Sequence, residues 1–214
     1  NLVATYVTTG ASVAVSGNLQ VSGVTSNNFT NPVVYTVTAQ DGSTAQYTVN
    51  IAPLYVYIAN GGGVQQCTIN STGGFSSCAS AGGGVYGANS IVIDTTGTYA
   101  YVKNNSANAA RPFACSIDSL SGNLTNCSSQ NINYSSSPYY SLNSVAVNIV
   151  GNYVYVLSAE YYSIIQCTIS NGQFSSCSST SSGVPFFGSN DLVLNPAGTY
   201  AYVTSGSIYV SPID

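Results

Sequence analysis

QCTISNGQFSSC, Gln166 to Cys177, sets two cysteines ten residues apart. The chain repeats the pattern in QCTINSTGGFSSC, Gln66 to Cys78, and in ACSIDSLSGNLTNC, Ala114 to Cys127. A β-hairpin with its two cysteines opposite each other accounts for all three. Counting inward, Cys167 faces Cys177, Ile169 faces Ser175 and Ser170 faces Phe174, around a loop of Asn171 to Gln173. The same rule pairs Asn70 with Phe75 around STGG, and Asp118 with Leu124 around SLSGN. Each loop contains Gly and has a common hairpin length, so the spacings differ only in the loop. Facing residues of an antiparallel pair lie about 4.5–5.5 Å apart, within disulfide reach. Six cysteines admit about 15 pairings, and the repeat selects Cys67–Cys78, Cys115–Cys127 and Cys167–Cys177. With no CxxC and no His, a zinc site is not expected. Three bridges imply an oxidising compartment, extracellular or at the cell surface.

In this register Ile69 and Phe75, Ile117 and Leu124, and Ile169 and Phe174 point to opposite sides of their hairpins. A sheet apolar on both faces is packed on both, as in stacked propeller blades. Around each hairpin runs a longer unit. A strand rich in Tyr and Val precedes it (54–58, 99–102, 153–156), and a second apolar strand follows (90–93, 144–147, 191–194). The turns DTTG, NIVG and NPAG then lead onward. Asp94, Asn148 and Asn195 share one position there, suited to accept a hydrogen bond from the backbone two residues on. The cysteines recur after 48 and then 52 residues, and four short strands in such a period describe a propeller blade. In YVYIANGGGVQQCTI, NPAGTYAYVT and GQFSSC, residues 54–214 resemble the YVTN-type β-propeller repeats of bacterial secreted and surface proteins. The resemblance implies three repeats plus a partial fourth over residues 53–214. It implies little about function, because propellers host unrelated activities.

Residues 1–52 lack Cys and the repeat. VVYTVTAQDGSTAQYTVNI, 33–51, reads as a hairpin turning at Asp41-Gly42. Tyr35, Val37, Tyr47, Val49 and Ile51 fall on alternate positions and give it one apolar face. LVATYVTTGASVAVSG supplies about two more strands. FTNPVVYTVTAQDGSTAQYTVNI resembles the bacterial Ig-like, cadherin-like sandwich modules that precede larger domains in surface proteins. The expected fold class is therefore all-β, a partial Ig-like sandwich followed by four-stranded blade repeats, each with a disulfide-pinned hairpin. Relative to that family the chain starts inside the module, and it begins at Asn1 with no Met anywhere. Either the chain is processed or partial, or a neighbouring subunit donates the missing strand to an open edge.

Charged residues make up 4% of the chain, against roughly 25% in an ordinary soluble domain. Lys103 and Arg111 are the cations; Asp41, Asp94, Asp118, Glu160, Asp191 and Asp214 are the carboxylates. Two cations cannot neutralise a run of phosphates, so nucleic acid is excluded as a partner. No run of about 18 apolar residues suggests membrane insertion. There is no GxSxG, no Walker motif and no acidic metal loop, and general acid–base chemistry usually draws on His or paired carboxylates. No catalytic residue, cofactor or metal is expected. Tyr134, Tyr139, Tyr140, Tyr161 and Tyr162 lie in loops, where Tyr suits contact with a partner or stacking on sugar rings. Asn28, Asn70, Asn104, Asn123, Asn126 and Asn133 open N-x-Ser/Thr sequons and are candidate glycosylation sites. The leading expectation is a structural protein whose partner is itself, a surface filament or layer joined by strand complementation. In that case Leu2–Thr8 or Ser207–Val210 pairs between subunits. The alternative is a surface-exposed propeller binding module for a glycan or another surface protein.

Overall fold

The computed structural model describes residues 1–29, 31–51, 53–70, 72–104, 111–132, 142–148, 152–158, 163–179 and 191–213. Every regular element among them is a β-strand, and the chain divides into two compact units, Asn1–Ala52 and Pro53–Asp214.

In the first unit β1 (Leu2–Val3) pairs β4 (Ser26–Asn27). The strands β2 (Ser12–Val15), β3 (Asn18–Leu19), β5 (Val33–Thr38) and β6 (Thr44–Val49) form an antiparallel sheet in the order β3-β2-β5-β6. The β5–β6 hairpin turns over Ala39–Ser43, where Asp41 accepts from both the Ser43 amide and hydroxyl. Those bonds, the hydroxyl's first, hold the Asp41 carboxyl below its ordinary range. Tyr35 faces Tyr47 and Val33 faces Val49, so alternation does collect one apolar face, centred on Val13, Val33 and Tyr35. Leu2 and Val3, expected to pair between subunits, pair within the chain with Asn27 and Ser26.

The second unit is a stack of antiparallel sheets, or blades. Blade A has β7 (Tyr55–Ala59), β8 (Val64–Ile69) and β9 (Phe75–Ser80). Blade B has β10 (Ala88–Ile93), β11 (Tyr99–Asn104), β12 (Pro112–Ile117) and β13 (Leu124–Ser129). Blade C has β14 (Leu142–Val147), β15 (Tyr153–Ser158), β16 (Ser163–Ser170) and β17 (Gln173–Ser179). Blade D has β18 (Asp191–Leu194), β19 (Tyr200–Ser205) and β20 (Ser207–Pro212). Strands follow sequence order within each blade.

The blades are out of phase with the sequence repeat by one strand. The turns after Ile93, Val147 and Leu194 do not lead out of a sheet. In blades B and D they are tight: Asp94 N–H donates to Tyr99 O and Gly97 N–H to Asp94 O, with matching bonds at Asn195 and Gly198. The Asp94 carboxylate accepts from the amides of Thr98 and Tyr99, and Asn195 from Thr199 and Tyr200. The backbone amides that these side chains hold therefore lie four and five residues on rather than two, although Asp94 also accepts from the Thr96 hydroxyl. The apolar strand opens its blade, and the longer connections that follow each hairpin carry the chain to the next one.

Each of the three hairpins closes its disulfide, Cys67–Cys78, Cys115–Cys127 and Cys167–Cys177, with Cα atoms 4.0 Å apart. The register beyond the pin differs from the simple count. A bulge lies beside each cysteine pair, with Ser77 and Asn126 at positive φ (47° and 49°) in the first two. The extra residue slips the tip by one, which turns side chains to the other face. Ile69 consequently faces Phe75, Ile117 faces Leu124 and Ile169 faces Phe174, each pair on one side. In the third hairpin the slip leaves a two-residue turn, Asn171-Gly172, with φ of 49° and 74°. Both angles are positive, as the favoured two-residue turn requires, and Asn-Gly is the usual occupant.

Blades B and C are still buried on both faces, but mainly through their inner strands. Ala100, Val102, Cys115 and Leu124 of blade B pack with Val64 of blade A. From the other side of blade B, Tyr101 and Ala114 pack with Val154, Ile165 and Cys167 of blade C. Tyr155, Leu157 and Ile164 of blade C pack with Leu192, Ala201 and Val203 of blade D. Hairpin tips lock these contacts. Tyr55 and Tyr57 hydroxyls donate to Leu120 O and Gly122 O (3.1 and 2.6 Å), and Gln66 Nε2 donates to Ser121 O (2.6 Å). Gly122 lies against the Tyr55 ring and Gly172 against the Tyr99 ring, so closely that a Cβ at either would overlap the aromatic carbons.

Gly172→Ala will thus lower the urea midpoint by more than Gly206→Ala. Both positions are left-handed (φ 74° and 66°), costing about 1–2 kcal/mol for any L-residue, but only Gly172 also meets a ring, adding about 1–3 kcal/mol of overpacking. Equal midpoints would show that the tip does not seat on Tyr99.

Candidate functional site

The first strands of the blades converge. β10, β14 and β18, with Tyr57–Ala59 of β7, line a groove of about 850 Å³. Its floor is apolar, from Ile91, Val92, Val145 to Val147 and Leu192 to Leu194. Polar groups come from one repeat position per blade, Ser90, Ser144 and Asp191, with Asn89 and Asn143 one residue earlier and Asn195 beyond Leu194. Ser144 Oγ donates to Asp191 Oδ1 at 2.6 Å, which also accepts from its neighbour's amide, Leu192 N, at 2.9 Å. The groove thus offers amides, hydroxyls and one carboxylate beside aliphatic surface. These groups can donate and accept hydrogen bonds to a neutral polar ligand.

A second groove, about 370 Å³, lies within the first unit between Tyr6, Val7, Val13, Tyr35, Tyr47 and Val49. Tyr6 meets Tyr35 edge-on at 6.2 Å, and the Tyr35 hydroxyl accepts from Asn27 Nδ2. Among the described residues no group of three His, Cys, Asp or Glu side chains is placed to hold a metal. No helix among them is long and apolar enough to cross a membrane.

The loop tyrosines Tyr134, Tyr139, Tyr140, Tyr161 and Tyr162, together with Glu160, Asp214 and the sequon Asn133, lie outside the described residues. Asn28, Asn70, Asn123 and Asn126 are exposed. Asn104, at the end of β11, is buried, 7% exposed. Asp118 is a turn residue, holding the amides of Leu120 and Ser121 and the Ser121 hydroxyl; the Ser121 amide, then its hydroxyl, keep the carboxyl below its usual range.

Sequence reasoning did not single out the groove residues, although their phase was visible in NSIVI, NSVAV and NDLVL. It also missed Lys103, which is 3% exposed. Aligning the blades shows the signal: Lys103 stands where blade C has Leu157 and blade D has Thr204. Burial drives its ammonium down to about 8.

Residues 1–51 match the family described as SGBP, N-terminal, the N-terminal module of surface glycan-binding proteins. No curated protein matches the chain in sequence. Among solved structures, a protein from Lactobacillus plantarum is 13% identical with a TM-score of 0.56, over 86% of this chain and 61% of that one. The periplasmic gluconolactonase of Pseudomonas aeruginosa is 11% identical with a TM-score of 0.52, over 88% and 62%. A functionally unknown protein from Desulfotomaculum acetoxidans is 19% identical with a TM-score of 0.51, over 94% and 65%. The chain spans less than two thirds of the length of each. At these identities the likeness is one of fold, the stacked blades of a β-propeller.

Lys103 yields a signed pH effect. Its pKa is about 8 folded and 10.5 for an ordinary lysine. The cost of burying the charge is present in full below pH 8 and disappears as pH rises toward 10.5, because across that window the unfolded chain holds the extra proton. Lys103→Met will raise the melting temperature at pH 7, and the gain will shrink by pH 10. A gain independent of pH would show that Lys103 reaches water.

Proposed function

We propose that this chain belongs to an extracellular, surface-exposed glycan-binding protein, in which the first unit is an Ig-like spacer and the blades, of YVTN type, carry the binding site. The match of residues 1–51 to the N-terminal module of surface glycan-binding proteins carries this reading. It favours the binding module over the filament subunit that led on sequence alone. Three disulfides accord with life outside the cytoplasm. The groove of Asn89, Asn143, Ser144 and Asp191 above aliphatic strands has the chemistry of a site for a neutral sugar, in which hydroxyls meet amides and ring C–H surfaces meet apolar side chains. The loop tyrosines are further candidate contacts. Hydrolysis of a lactone or a glycosidic bond would need an acid–base pair, and Asp191 is the groove's sole titratable carboxylate among the described residues.

Affinity electrophoresis in gels containing neutral polysaccharides is the direct test. Retardation is expected with at least one neutral polymer, and Asn143→Ala or Asp191→Ala should weaken it about tenfold, as loss of one or two hydrogen bonds does. Raising NaCl from about 50 to 500 mM should change the affinity less than twofold, since screening acts on charges this site scarcely has. Retardation confined to anionic polymers, or unaffected by both substitutions, would sink the assignment.

Filament formation by strand complementation draws on one observation, the apolar groove of the first unit, where Val7 is fully exposed beside Tyr47. A donated strand would fill it. Filaments that persist in negative-stain micrographs after Val7→Asp would reject that mode of joining.

A further inference from the structure

Blades B and C enclose polar groups between them. On β11, Tyr99, Tyr101 and Lys103 fall on alternate positions, and Tyr101 packs with blade C. Lys103 therefore also faces blade C, two residues beyond Tyr101. It is 3% exposed. Desolvation alone acts on its charge, with no carboxylate and no hydrogen bond to offset it.

Blade C brings hydroxyls to the same interface. Val154 and Val156 of β15 and Ile165 of β16 share a core cluster with Tyr101. By the same alternation Ser158 lies on their side of β15 and Ser163 on their side of β16, and the two are register partners. Ser158 is 0% exposed and Ser163 1%, and neither Oγ has a hydrogen-bond partner among the described residues. Ser179, opposite Ile165, carries another buried hydroxyl without one. Both β11 and β15 are paired with the first strand of their blade in the same sense. Lys103 and Ser158 thus lie toward one end of the interface, where Leu142, the partner of Ser158, joins the Tyr101 cluster.

Buried polar groups in native proteins are joined by protein, by water or by an ion. Here one positive charge stands with hydroxyls that can turn their hydrogens toward a guest, which selects an anion. A cation would be repelled, and a neutral guest would leave the ammonium uncompensated. A doubly charged anion would exceed the single charge available to it. The other interfaces lack that charge, since Ala59 and Leu157 stand where Lys103 does.

We infer that the interface of blades B and C binds a small monovalent anion, of the size and charge of chloride, between the Lys103 ammonium and the hydroxyls of Ser158 and Ser163. The inference is independent of glycan binding, and the site lies inside the stack.

Thermal melts of the 214-residue chain at pH 7 test it, with sodium chloride replacing sodium gluconate at constant ionic strength. From about 1 to 300 mM chloride the melting temperature of the unaltered chain should climb by about 3–6 °C and level off, as binding to the folded state alone requires. Lys103→Met keeps an apolar stem in place of the lysine and should show no such climb. The double variant Ser158→Ala with Ser163→Ala should need about tenfold more chloride for half the effect, as loss of hydrogen bonds to an ion does. An unaltered chain indifferent to the exchange of gluconate for chloride would overturn the inference. So would an equal climb in Lys103→Met, or an unchanged half-point in the serine variant.

Discussion

The stacking of blades A, B and C depends on the contact between a hairpin tip and the pair of tyrosines on the preceding blade. A tyrosine ring is broad and flat, and its hydroxyl must find an acceptor when the ring is covered. A tip containing Gly meets both needs at once, since it lets the backbone approach the ring and offers carbonyls to the hydroxyl. Tyr57 to Gly122 O, at 2.6 Å, and Gly172 on Tyr99 are two versions of this contact. The disulfide belongs to the same device. It holds the tip strands together beside a bulge, and the bulge turns Ile and its apolar partner toward the tyrosines.

This arrangement explains how a chain with so few charges specifies one stacking order. Ion pairs play little part; order comes from shape and from hydroxyl-to-carbonyl bonds that only one register allows. Lys103 is the exception that shows the rule. It occupies a blade-facing position that holds Leu in the next blade, and its ammonium is correspondingly reluctant to stay charged. The groove follows from the stacking of the blades, which brings Ser90, Ser144 and Asp191 of their first strands to one place.

Much of this was legible in the sequence because it is written three times. The cysteine pairs, the Tyr-Val strands and the Asx turns each recur, and recurrence selects one arrangement from many. What escaped was whatever adds a single residue or links distant ones. The bulges at Ser77 and Asn126 are conformations of ordinary residues with no compositional mark, and missing them put Phe75, Leu124 and Phe174 on the wrong side. The phase of the blades turned on comparing connections, short after Ile93 and long after Ser129, rather than on the strands. The groove residues were invisible as a site because Asn and Ser are common here, and only stacking of separate blades assembles them.

All three covalent links lie within a blade, and none joins one blade to another. Under a pulling force the blades can separate one by one, yet each pin keeps its hairpin closed. The pins span 11, 12 and 10 residues, so at ~3.4 Å per residue they withhold roughly 100 Å of extension. A stretched chain would keep three short hairpins as ready templates, from which tips and tyrosines can find each other again when the load is released.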